Sequence, residues 1–185
     1  MRYRNFAVIA VVLLFTSCEQ LKYFTRLNFV LPFSREFAAP QLDTGTTLPP
    51  EGLVLSLPEV GIVTNSEESL QKFSISKEQI AEVNLRSFSE LANDSAGHCN
   101  FNFVDSLKVY ISARGLPEVL MAEQNNIPDN ADSVSFDCIA QNLKDYFMKD
   151  TIMVRMQGRF YKVPKQAKYK TDFKFGIVAN VLDVE

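Results

Sequence analysis

The side chains able to do chemistry in this sequence are few: one histidine, three cysteines, no tryptophan and seven glycines among 185 residues. His98 and Cys99 are neighbours, the pairing from which a thiol nucleophile or a metal site would start. Adjacent residues of a strand point to opposite faces, however, and no spacing supplies the third and fourth ligands of a zinc centre. Cys99 and Cys138 both lie in strand-like stretches beside phenylalanines. They could close a disulfide across a sandwich, worth roughly 3 to 4 kcal/mol for a loop of about forty residues, or sit apart as two small buried apolar side chains. Ser69-Leu70-Gln71-Lys72 and Ser74-Ile75-Ser76-Lys77 have the spacing of a lysine-activated serine, but the companion motifs that would hold a substrate are missing. The run Asn125 to Asp132, NNIPDNAD, crowds oxygen ligands suited to calcium, yet these are also the residue types of a tight turn. This supply of side chains predicts a protein that is not an enzyme and uses no cofactor or metal.

The charge balance narrows the partners. Twenty-two acidic against nineteen basic residues give a net charge of −3, which argues against nucleic acid, where affinity comes from neutralising phosphates. Lys162, Lys165, Lys168 and Lys170, with Arg155 and Arg159 before them, form a basic tip. Such a tip either meets an anionic surface or partner, or solvates a turn and discourages edge pairing.

The opening segment, MRYRNFAVIAVVLLFTSC, places Arg2 and Arg4 before ten apolar residues, Phe6 to Phe15, and then Thr16, Ser17 and Cys18. That is the layout of a secretory signal. Ten helical residues cover about 15 Å, half of the hydrocarbon core, too little for a permanent span. Ending on Cys18, the segment resembles the lipobox of bacterial lipoproteins, with Phe15 where the family prefers Leu. The resemblance implies that residues 1–17 are a signal peptide, that Cys18 receives a diacylglycerol thioether and an acylated amino end, and that the body lies outside the cytoplasm in the bacterial envelope. Two or three acyl chains anchor stably, since each buried methylene contributes about 0.8 kcal/mol. Residues 18–26 then form a tether and 27–185 one domain, a length suited to a single core. Asp94-Ser95-Ala96 and Asp132-Ser133-Val134 resemble bacterial O-glycosylation sites, making Ser95 and Ser133 candidate acceptors in expected loops; Asp-Ser is also ordinary turn chemistry.

Most of the body alternates with a period of two. Leu27, Phe29, Leu31 and Phe33 predict a half-buried strand that Pro32 moves towards an edge. The stretch from Pro40 to Gly52 predicts a loop leading into a strand at Leu53, Leu55 and Leu57. Thr64 and Asn65 stand at capping-box spacing before Glu67 and Glu68, predicting a short helix over Ser66 to Lys72. Val83, Leu85, Ser89 and Leu91 predict one strand face, and Cys99, Phe101, Phe103, Leu107, Val109 and Ile111 another. Strands at Val119–Met121 and Val134–Cys138 and a helix over Asn142–Phe147 follow. The final pair, Ile152 to Phe160 and Phe173 to Val181, predicts a hairpin. Together these predict an all-β protein: an antiparallel, immunoglobulin-like β-sandwich of seven or eight strands with one or two short helices.

Four segments, Asn65–Phe73, Phe101–Ala122, Asn126–Asp137 and Leu143–Asp150, look like a group of bacterial envelope lipoproteins with a β-sandwich body. The resemblance implies location and fold, and brings no catalytic residues with it. The functional expectation is a lipid-anchored structural or protein-interaction module with a protein partner. A binding protein for a glycan or apolar small ligand is the alternative, favoured if the phenylalanine-rich interior leaves a cavity.

Overall fold

The computed structural model describes residues 26–38, 47–93, 100–163 and 168–181. Among them are ten strands: β1 (Arg26–Ala38), β2 (Leu53–Ser56), β3 (Val60–Val63), β4 (Ile80–Asn93), β5 (Val104–Ala113), β6 (Leu116–Gln124), β7 (Ser133–Ser135), β8 (Asp137–Cys138), β9 (Thr151–Phe160) and β10 (Lys168–Asn180). Two short helices join them, α1 (Ser66–Gln71) and α2 (Lys144–Phe147).

The strands form two antiparallel sheets, one in the order β1-β10-β4-β7 and the other β2-β9-β5-β6-β8, with β3 also on β9. β2 and β3 pair with successive stretches of β9 and are one passage of chain broken at Leu57–Glu59, where the register against β9 slips by one residue. β7 and β8 are likewise one passage that changes sheet at Phe136. The described chain therefore makes eight passages, and the expected antiparallel β-sandwich with short helices is the architecture observed. Its order refines the immunoglobulin-like expectation to a jelly roll, in which successive passages mostly cross between sheets. β5 and β6 instead form a hairpin turned at Arg114–Gly115 with Gly115 at φ +81, and β8 and β9 also lie in one sheet without pairing to each other.

The expected hairpin of β9 and β10 is not formed. β9 lies between β2/β3 and β5 in one sheet, and β10 lies between β1 and β4 in the other. Alternation reports that a strand has one buried face, and two strands facing each other across a sandwich satisfy that as well as two paired ones do.

The core lies between the sheets, where Phe88, Phe101, Phe147, Phe160, Phe173 and Phe175 are fully buried. Ile152, Val154, Met156 and Phe160 face inward as their alternation predicts, as do Phe173, Phe175, Ile177 and Ala179; Val181 lies past the end of β10 and is exposed. In β4 the prediction holds for Val83 and Leu85 and fails beyond them. The pairing with β10 shifts between Leu85 and Ser87, so Arg86 is an extra residue and the inward parity changes to Phe88 and Glu90. Leu91 is consequently exposed. Gly176 lies against this bulge, where a Cβ would overlap the Arg86 side chain.

α1 forms where expected but without the expected cap. Asn65 sits in the left-handed region at φ 44 and its side chain makes no capping bond. Thr64 instead donates from Oγ1 to the Lys149 carbonyl at 2.7 Å, tying the helix start to the segment after α2. Among the described residues, no helix is long and apolar enough to cross a membrane.

Candidate functional site

The inward face of the β1-β10-β4 sheet carries two adjacent rows of different chemistry. In one, Phe33, Phe173 and Phe88 are register partners across three strands. Phe33 and Phe173 stack at 5.2 Å, Phe173 and Phe88 at 5.8 Å, and Phe136 meets Phe88 edge-on at 5.1 Å. Two residues along each strand, the next row reads Arg35, Thr171, Glu90 and Val134.

Between this face and the opposite sheet lies an apolar pocket of about 150 Å³. Phe88 and Phe173 line it from the aromatic row, and Arg35 and Thr171 from the polar row. Ile62, Val154 and Met156 line it from the other sheet, and the break at Leu57–Pro58 completes it. The pocket is lined from the edge strand β1 and from the β2/β3 edge, where the register against β9 slips by one residue so that Pro58 and Glu59 together oppose Arg155. Its volume is that of an apolar cavity able to hold benzene or xenon.

Glu90 is buried next to Thr171 and does not itself line the pocket. Thr171 Oγ1 donates to Glu90 Oε1 at 3.1 Å, and no cation pairs with the carboxyl among the described residues. Burial pushes its pKa up to about 7, with the Thr171 hydrogen bond pulling weakly the other way. Arg35 continues the odd-numbered inward parity of Leu27 to Phe33, yet its position near the end of an edge strand leaves it exposed at the pocket. It has no ion pair among the described residues.

The outer face of the second sheet holds the strongest ion pair. Arg155 donates to both oxygens of Glu118, at 2.8 and 2.6 Å, bonds Ser56 Oγ at 2.9 Å and lies 4.5 Å above the Tyr110 ring. These contacts hold Glu118 below the ordinary carboxylate range and raise Arg155. They fasten edge strand β2 to the sheet, so this part of the basic tip is structural. Lys170 pairs with Asp172 at 2.9 Å.

The other residues singled out by sequence do not converge. Cys18, Ser95, His98 and Cys99 lie outside the described residues. Cys138 is a free, half-buried thiol whose pKa burial pushes up, the opposite of an activated nucleophile. Ser133, expected in a loop, opens β7 and is exposed. In the Ser-x-x-Lys runs, Lys72 pairs with Glu68 at 3.5 Å and Lys77 with Asp150 at 4.0 Å, so each lysine meets a carboxylate. In the run Asn125 to Asp132 the Asn130 amide oxygen accepts from Asn102 Nδ2 at 2.8 Å, and Ile127 N–H bonds the Asp105 carbonyl at 2.8 Å. Its polar atoms thus serve the turn, and among the described residues no three of His, Cys, Asp or Glu stand together as metal ligands.

No protein-family model matches the chain, and no curated protein does. Among solved structures it is similar to the decameric BFDV capsid protein, with 7% identity over 83% of this chain and 99% of that one and a TM-score of 0.38. It is similar also to VP2 of infectious bursal disease virus, with 8% identity over 84% of this chain and 33% of that one and a TM-score of 0.36. A third is turnip yellow mosaic virus, with 8% identity over 84% of this chain and 82% of that one and a TM-score of 0.26. Likenesses this distant carry nothing about activity, and the architecture rests on the chain's own strand order.

Proposed function

We propose that the chain is a lipid-anchored, non-enzymatic protein of the bacterial envelope whose sandwich holds a small apolar ligand between its sheets. The observation that carries the ligand reading is the 150 Å³ pocket lined by Phe88, Phe173, Ile62, Val154 and Met156. Apolar surface left open in an otherwise close-packed interior gains most from an apolar occupant. Equilibrium urea unfolding with and without benzene tests it. Binding to the folded state raises the midpoint as benzene is added, and Val154→Phe, which fills the pocket, abolishes the rise. An unchanged midpoint in the parent protein would refute the reading.

The anchoring half rests on Met1 to Cys18, with the body periplasmic or surface-exposed. Mass spectrometry of the protein extracted from membranes should find Cys18 acylated at the amino end, and Cys18→Ser should release the body from the membrane fraction.

The protein-module reading stands second, favoured by the outer edge of β1, which has no strand partner among the described residues and exposes Leu27 and Val30. An extended segment of a partner could add there, and crosslinking the native envelope would recover it.

A further inference from the structure

We infer, resting on the pocket reading above, that the ligand is a small organic monoanion whose apolar body enters between the sheets and whose charge is met by Arg35. Arg35 is the one charged residue among those lining the pocket, it is exposed, and no carboxylate of the described residues pairs with it. Its guanidinium therefore offers a free two-pronged donor set, the geometry that suits a carboxylate or sulfonate. Glu59, in the broken edge across from it, adds to the field on Arg155 on the outer face.

The interior fixes the other end of the molecule. Thr171, the sole polar residue lining the pocket apart from Arg35, spends its hydroxyl proton on Glu90. A ligand group that needs a donor finds none inside, and burying it unpaired would be costly. The inner part is thus an aromatic ring or short branched alkyl group, which the volume of about 150 Å³ accommodates. The acceptor oxygens stay at the mouth beside Arg35.

The test compares two probes of one shape, 4-fluorobenzoate and neutral 4-fluorobenzyl alcohol, titrated into the lipid-free body and followed by ¹⁹F NMR. The inference expects the benzoate to bind about fivefold tighter or more, Arg35→Gln to reduce that ratio to near one by weakening the benzoate alone, and Val154→Phe to block both probes. Equal affinity of the two probes for the parent protein overturns the anion inference while leaving the apolar pocket standing. Binding of neither overturns the pocket reading and this inference with it. A benzoate preference that survives Arg35→Gln assigns the charge to another residue and also overturns the inference.

Discussion

The two adjacent rows on the inner face of the β1-β10-β4 sheet share strands, direction and neighbours and differ in what they bury. Phe33, Phe173 and Phe88 stack across three strands, and Phe136 closes the row edge-on. One step on, Arg35, Thr171, Glu90 and Val134 occupy the corresponding places. The aromatic row packs ring on ring and contributes stability through area and contact, with Phe88 and Phe173 also forming one wall of the pocket. The polar row does not: Glu90 accepts one hydrogen bond from Thr171, Arg35 turns to solvent, and the space beside Arg35 and Thr171 stays open. The pocket lies where the sequence gives up packing.

Breaking the aromatic row should have the largest effect. Phe173→Ala removes a side chain that is 1% exposed and touches Phe33, Phe88 and Phe175. It should destabilise by about 3 to 5 kcal/mol in urea unfolding.

Glu90 sets the next. An unfolded glutamate ionises near 4.5, whereas in the fold its pKa is pushed up to about 7. The folded state therefore favours the proton. The contribution is fully present below pH 4.5 and lost as pH rises through 7, leaving the fold about 3 kcal/mol less stable at pH 8 on this account. Glu90→Gln keeps an acceptor for Thr171 and removes the charge, so stability measured from pH 4.5 to 8 should lose that slope. Parallel pH profiles for the two proteins would show Glu90 ionising without penalty.

Outside the sandwich the balance differs. Arg155→Lys keeps the charge but loses the two-bond fork to Glu118, and should cost about 1 kcal/mol, since the pair is partly solvated. The smallest effect belongs to Leu91, which the bulge at Arg86 turns outward. Leu91→Ser should change stability by no more than about 0.5 kcal/mol. A loss of several times that in thermal or urea unfolding would mean that the parity does not change there.

The sandwich was legible because alternation marks a buried face directly, and long strands such as β9 and β10 repeat the signal many times. Which strands pair was not, as the missing hairpin shows, because the same alternation fits partners beside a strand and opposite it. Arg35 was within reach: it follows the parity of Leu27, Phe29, Leu31 and Phe33, and a cation on a core-facing register is the mark of a mouth or a paired site. Glu90 was not, since its inward direction depends on one extra residue at Arg86 that no local composition announces. The open space was half legible in Pro58, a residue confined to strand edges and bulges, but the extra residue opposite Arg155 and the edge of β1 that lines the same pocket belong to the fold alone.

The most direct test of the central claim is a crystal structure of the body determined under xenon pressure. A xenon atom seated between Phe88, Phe173, Val154 and Met156 is the predicted result. A xenon-derivatised crystal with that space filled by side chains, or occupied only by ordered water, would contradict it.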